Sequence, residues 1–535
     1  LSAPLPWLSI LVALPALGAV LLLAIPSLRQ AGRAFALILS LCELVVAIVA
    51  AVAFDWSHSS TYQLSEAYSW IPQIGLSWAL AVNALGLVMI LLAVALVPLV
   101  VVAGWNEDED PARTGAYLGW VLFLESFMVL IFAASDVLLF YLAFEGMLVP
   151  HFVMIGRYGV GEKKARQRAA MKFLLFSLAG GLVMLGGLVA IWALAARRGD
   201  TLFMIDALSS GTVRLPWGIQ VGLFATFFIA FAIKAPMVPL HTWLPDTAEN
   251  ARPGTSVLLV GILDKVGTFG MITLCLRLFP LGAASLQWWI CGFAVLSILW
   301  GGLAAIGQND IMRLVSYTSV SHFGFMVLGI FIGSQIALTG AMVYMVAHGL
   351  SIAGLYLVTG FMARRTGTVA ISELGGIARV MPLVAGTFLV SGLASIALPG
   401  LSGFVPEWMV LTGTFSVSLA LGGAAVVGVV IAAVYMLLPY QRVFTGAPAP
   451  ERVGSPDLDG RERLVVVPII AAMLALGLAP GVLTSTFDDV ARQVALTVTS
   501  SSQAEASARG AGDSPDAGGA TDAPAASTAT EGNTK

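Results

Sequence analysis

The 535-residue sequence is poor in charge. Asp, Glu, Lys and Arg make up 11% of it, against about 25% in a soluble domain. The formal net charge is −3, so there is no basic excess with which to hold a nucleic acid backbone. Cysteine is scarce too. Cys42, Cys275 and Cys291 each lie in an apolar stretch and form no C-x-x-C pair. A disulfide framework or cysteine-held metal site is therefore excluded, and the three are read as small core residues. The chain carries no P-loop, no G-x-G-x-x-G after a strand and no flavin signature. It is expected neither to hydrolyse ATP nor to carry electrons itself.

What the chain has instead is apolar length. Hydrophobic residues make up 58% and the mean hydropathy is +0.92. Roughly 20 apolar residues cross about 30 Å of hydrocarbon. That pattern recurs about fourteen times, approximately at 6–26, 34–54, 78–104, 115–133, 136–156, 170–196, 217–240, 253–279, 286–307, 312–332, 335–361, 382–413, 419–440 and 464–484. The expected fold is an all-α polytopic membrane protein. The first segment has no basic residue before it, since Arg29 and Arg33 follow it, so it is read as a retained span and not a leader.

The loops sort by charge. Arg29 and Arg33, then Arg157, Lys163, Lys164, Arg166 and Arg168, then Arg364, Arg365 and Arg379, then Arg442, Arg452, Arg461 and Arg463 all fall on one side. The other side holds chiefly Arg197, Arg198, Arg214 and Arg277. The positive-inside rule places both termini outside the cytoplasm, and the Ala-, Gly- and Val-rich, lysine-poor composition suggests a bacterial source. Segment 55–77, with the aromatics Tyr62, Tyr68, Trp70 and Trp78 in or beside it, is expected to be a longer external loop, partly ordered at the interface. Residues 488–535, rich in Ala, Ser, Gly and Thr, are expected to be a disordered external tail.

Against this apolar background, Lys234 is the most informative residue. It lies in the run Gly222–Ala235 and is followed by Pro236 and Pro239. A charge near the bilayer centre costs ~2.5–3.5 kcal/mol on the mildest scale. Broken helices bearing such a group are tolerated where they face a polar interior. A second interruption, Pro399-Gly400 to Pro406, precedes Glu407 in the twelfth span. Glu145, Lys265 beside Asp264, His322 and His348 stand near the middle of the fifth, eighth, tenth and eleventh spans. Glu43 and Glu125 are further acids in spans two and four; Glu43 is read as an interhelical hydrogen bonder before a transport group, and for Glu125 the two roles weigh about equally. A single buried histidine or ion pair is commonly structural. A row of ionisable groups at one depth over six spans is the form of a proton relay. The charge on a buried lysine answers to the nearest carboxylate, so Lys234 can be switched by moving or neutralising Glu145, and histidine passes protons in either direction. Spans four to eight and nine to thirteen number five each, so the second set runs inverted and places the break of span twelve opposite that of span seven.

Three stretches carry a resemblance. Phe140-Tyr-Leu-Ala-Phe-Glu145-Gly-Met-Leu-Val-Pro150, Lys234-Ala-Pro-Met-Val-Pro-Leu-His241-Thr-Trp-Leu-Pro-Asp246-Thr-Ala-Glu249 and Arg313-Leu-Val-Ser-Tyr-Thr-Ser-Val-Ser-His322 resemble the antiporter-like membrane subunits of respiratory complex I, over nearly all of residues 1–490. Within that family, Glu407 in place of lysine, without a long lateral helix after the core, resembles the M type, NADH dehydrogenase chain 4. The resemblance implies fourteen core helices, with helices 1–3 in residues 1–110, repeats at 111–280 and 281–447, and a loop and last helix at 448–487. It implies roles as well: Glu145 as coupling carboxylate, Lys234 as switching lysine, Lys265, His322 and His348 as central relay, Glu407 as output, and His241 as a link between Lys234 and Lys265. It implies no cofactor in this chain, with flavin, Fe–S clusters and quinone in partner subunits, and L-type and N-type antiporter-like neighbours. Subunits of multisubunit sodium/proton antiporters and membrane-bound hydrogenases share the Glu and Lys positions and stand as the alternative. A di-haem anchor using His322 and His348 is disfavoured, because no His spacing repeats between helices.

Overall fold

The computed structural model describes residues 5–197, 203–212 and 215–512, with side chains of 211 and 499–512 left aside. Arg198 and Arg214 of the loop-charge pattern and residues 513–535 of the expected tail lie outside the described residues. The protein is a helical bundle, as expected of a chain that must satisfy its backbone inside lipid. Twelve helices among the described residues are each long and apolar enough to cross a membrane, and a bent pair makes a thirteenth. The remaining span of the sequence count is split into Pro382–Ser395 and Phe404–Val417, fourteen residues each.

Burial orders the spans. The best apolar windows of Pro253–Leu278 and Gln335–Thr366 are 100% buried and that of Ile311–Phe331 94%, whereas that of Leu28–Ala53 is 28% buried. Helices that are apolar all round occupy the interior, and here they bring Lys265, His348 and His322 there. The outer second span turns Ile38, Val45 and Val52 outward, where only lipid or a neighbour can cover them.

Several spans depart from regular helix. Span seven ends at Lys234, the last residue of Trp217–Lys234, and resumes as Trp243–Asn250. Pro236 and Pro239 lack the N–H a continuous helix needs. The loose ends are taken up locally, with the Trp243 indole donating to Ile233 O at 3.0 Å and Val238 N donating to Ser297 Oγ at 2.9 Å. Span twelve is interrupted between Ser395 and Phe404, with Ala397 and Gly400 in the left-handed region at φ 59° and 91°. Span five divides at Met147 into Val137–Gly146 and Leu148–Tyr158. Span eight contains two π-helical turns, Leu259–Leu263 and Met271–Cys275, on either side of Lys265–Gly270. Hydropathy registers length and polarity, and none of these last features changes either.

Two expectations are corrected, the first being the start of span three near residue 78. Segment 55–77 with the start of span three is a hairpin, β1 Gln63–Ile71 and β2 Leu76–Val82, turned at Gly75 with φ 76°. Span three then begins at Ala84, capped by Asn83 accepting from Gly86 N at 3.1 Å. A short apolar run does not distinguish strand from helix by periodicity. Glu66 of β1 reaches the start of the first span and accepts from Leu8 N at 2.8 Å. The second correction concerns residues from 488 onward. Gly460–Leu478 bends by 68° into a further helix, Gly481–Gly512. Phe487, Val490 and Ala491 are buried, and Val494 and Val498 pack against the same core, a stripe at helical spacing. Asp488 accepts from Gln335 Nε2 at 3.0 Å. The low-complexity composition begins only beyond this stripe.

Candidate functional site

The site is a line of groups running through spans five, seven, eight, eleven, ten and twelve, buried except for the half-buried Glu145 at one end. At one end, Glu145 stands one residue from the end of Val137–Gly146. Its carboxylate fills the space beside Gly181 of span six, where any larger residue would collide with it. Lys234 is fully buried and its Nζ has no hydrogen-bond partner. The ammonium lies over two rings, 5.7 Å from the Phe144 centroid and 5.1 Å from that of Phe173, an arrangement that favours a cation. Asp264 and Glu145 are the charges that attract it, and neither is hydrogen-bonded to it. The positive charge is thus held by aromatic faces and by carboxylates at a distance.

The middle of the line is hydrogen-bonded. Lys265 Nζ donates to Val260 O at 2.7 Å and lies 2.8 Å from His348 Nδ1. The carbonyl belongs to the π-helical turn before it; π turns are common at functional sites. The His348 and His322 rings are 5.1 Å apart. His322 Nε2 is 3.0 Å from the Tyr435 hydroxyl, and the Tyr344 ring stands 5.9 Å from His322. The Tyr344 hydroxyl donates to Glu407 Oε2 at 2.8 Å. Glu407 belongs to the first turn of Phe404–Val417, just past the second break, where the helix N-terminus favours negative charge. Lys265, His348, His322 and Glu407 thus lie in succession, with Tyr435 bonded to His322 and Tyr344 to Glu407, while no hydrogen bond joins the two histidine rings among the described residues.

His241 is placed otherwise. Its ring lies 6.0 Å from that of Tyr317, and the charge it feels is Lys172. Lys172 in turn pairs with Asp246 at 2.6 Å, which also accepts from Arg313 at 2.7 Å. His241 thus stands beside a polar cluster beyond the break, and no hydrogen bond links it to Lys234 or Lys265 among the described residues. Four groups escaped the sequence reading: His151, Asp264 as more than a neighbour, Tyr344 and Tyr435. His151 is fully buried, with neither ring nitrogen bonded, 5.6 Å from the Phe173 ring and within the field of Lys234. One signal was available for it: a histidine one residue past Pro150 in an apolar span. The tyrosines gave none, being indistinguishable from core aromatics. Glu43 and Glu125 are both fully buried and face each other between spans two and four.

Residues 134–432 match the family described as NADH:quinone oxidoreductase/Mrp antiporter, TM. That range includes Glu145, Lys234, Lys265, His322, His348 and Glu407. The chain belongs to this family. Its similarity to NADH-quinone oxidoreductase subunit M of Mycobacterium tuberculosis is 40% identity over 509 residues, covering 89% of this chain and 91% of that one. It is 36% identical to NAD(P)H-quinone oxidoreductase chain 4 1 of a Synechococcus strain over 502 residues, 91% of this chain and 92% of the other. The resemblance to the M, or chain 4, type is thereby borne out. Among solved structures, a chain of respiratory complex I from Thermus thermophilus superposes with a TM-score of 0.83 at 29% identity, covering 92% of this chain and 99% of that one. The Mrp complex of Dietzia sp. shares the fold, with a TM-score of 0.79 at 21% identity, over 92% of this chain and 99% of that one. This family member is an antiporter-like membrane chain whose relatives are subunits of an oxidoreductase complex.

Proposed function

We propose that this chain is a proton-translocating subunit of a NADH:quinone oxidoreductase. Protons pass along Lys234, Lys265, His348, His322 and Glu407, and the energy comes from quinone reduction in other subunits. The single observation that carries the reading is the run from Lys265 Nζ through His348 and His322 to the Tyr344–Glu407 hydrogen bond. Such a run, on buried spans, gives a proton successive acceptors at short range. Glu145 acts as the coupling carboxylate: its approach favours the charged form of Lys234, and its withdrawal or protonation releases the proton. Each proton moved against the membrane potential requires about 2.3 kcal/mol per 100 mV, which this reading draws from the redox chemistry of partner subunits.

The same reading makes L-type and N-type antiporter-like chains the lateral neighbours and leaves flavin, Fe–S clusters and quinone to partner subunits. It sets residues 111–280 and 281–447 as the two inverted repeats and puts both termini on the periplasmic side of the inner membrane. The test is proton pumping by the assembled complex in proteoliposomes, with NADH:quinone turnover measured in parallel. Lys265→Ala is expected to abolish most pumping while the complex still assembles. Unimpaired pumping by Lys265→Ala would refute the relay. Pumping that requires sodium in place of protons would favour the sodium/proton exchanger reading.

A further inference from the structure

The line of groups has a gap. Lys265 connects onward to His348, and Lys234 is surrounded by phenylalanines, but no hydrogen bond joins the two lysines among the described residues. His241, the group expected to bridge them, faces Tyr317 and Lys172. Asp264 is the acid that remains. It is fully buried, and neither carboxylate oxygen has a hydrogen-bond partner. An isolated carboxyl so deep is costly unless something compensates it, and the charges that attract Asp264 are Lys234 first and Lys265 second.

Helix geometry says which way it faces. Gly267 lies one turn on from Asp264, and Gly267 N donates to Asp264 O at 3.1 Å. Residues three apart share a helix face. A side chain at Gly267 would run into the backbone of Phe231 and Ala235, the end of the helix that stops at Lys234. The face shared by Gly267 and Asp264 is therefore pressed against the first break. Lys265, one residue and about 100° further round, points instead to His348. The adjacent pair Asp264-Lys265 thus spans the gap, its carboxyl toward Lys234 and its amine toward the histidines.

We propose that Asp264 carries the proton between Lys234 and Lys265. An N–H bond of the Lys234 ammonium breaks and an O–H bond forms on the Asp264 carboxylate. That O–H bond then breaks as the neutral Lys265 amine gains an N–H, and Asp264 returns to carboxylate. No electrons change hands and no co-reactant is needed. This step deepens the proton-relay reading above and rests on it.

The experiment measures pumping and NADH:quinone turnover of the whole assembled complex in proteoliposomes for Asp264→Asn, Asp264→Glu and Lys234→Ala. Asp264→Asn keeps the volume and removes the titratable group; a drop of about tenfold or more is expected, with substantial rescue by Asp264→Glu. Normal pumping by Asp264→Asn beside loss in Lys234→Ala overturns the role of Asp264 and leaves the relay standing. Normal pumping by Lys234→Ala overturns the relay itself. Should Asp264→Asn block assembly, Gly267→Ala asks the same question with the carboxyl retained, because the added methyl drives this turn away from Ala235. Impaired pumping there supports the step, and unchanged pumping refutes it. Infrared difference spectra of the unmodified complex should show a carboxylic-acid band during turnover that shifts in Asp264→Glu; a band indifferent to that change overturns protonation at Asp264.

Discussion

The two interrupted spans hold their charges in different ways. At the first break Lys234 closes a helix beneath two phenylalanine rings, with no hydrogen bond to its ammonium. At the second, Glu407 opens a helix and accepts a 2.8 Å hydrogen bond from Tyr344. A charge held by distance responds to small displacements of the carboxylates around it, because the attraction varies continuously with separation. A charge held by a directed hydrogen bond is fixed until that bond breaks. On the relay proposed above, the first break is the switch and the second a defined terminus, so changes near the first should alter whether protons move and changes near the second how fast they leave.

The largest expected effect is at the first break. Lys234→Ala or Glu145→Ala should reduce pumping by about 10²-fold or more in assembled complex, measured as pH-gradient formation in vesicles. A retained gradient in either variant would remove the contrast. Gly181→Ala comes next. It changes no titratable group but forces the Glu145 carboxylate aside, and should cut pumping severely if position alone governs the switch. At the second break, Tyr344→Phe deletes one hydrogen bond to a charged group, about 1.5–3 kcal/mol, so a slowing of roughly tenfold is expected without loss of assembly. An effect as large as that of Lys234→Ala would show that both breaks are switches. Glu407→Lys should retain part of the pumping if the terminus needs only a titratable group.

The smallest effect lies outside the membrane. Asp459 caps the helix Gly460–Leu478 in a reciprocal capping box with Glu462. The backbone N–H of Glu462, with Arg461 nearby, holds the Asp459 carboxyl below its ordinary range. A lowered folded-state value means the contribution is present above the unfolded value of about 3.9 and is lost as the pH falls below it. Asp459→Ala should cost about 1 kcal/mol, read by thermal unfolding of the complex at neutral pH, with the difference from the unmodified chain vanishing in acid. Pumping should be unaffected.

How far the sequence alone reached can be seen in particular residues. Glu145, Lys234, Lys265, His322, His348 and Glu407 were all legible, because ionisable side chains are conspicuous in apolar spans. Both breaks were visible through Pro236, Pro239 and Pro399. The connections between these residues were not. Tyr344 and Tyr435 are polar only at their tips and looked like core. His241 was expected to bridge the lysines from its place in the chain, yet the broken segment carries it toward Lys172. The division of span five at Met147 and the π turns of span eight have no compositional mark. The helix past residue 488 was obscured by the small residues that follow it, although Phe487, Val490, Ala491 and Val494 lay at helical spacing. Chemistry is written in residue type, whereas the path of a proton depends on which way each helix is rotated.

That rotation can itself be manipulated. A π turn is an α turn with one residue to spare, and Leu259–Leu263 comes directly before Asp264 and Lys265. Deleting a single residue there restores ordinary winding and swings the remainder of the span by about 100°, so that Lys265 no longer meets His348. Every acid, lysine and histidine would remain in the chain with its circuit cut, a lesion of alignment instead of composition, brought about by the loss of one aliphatic residue.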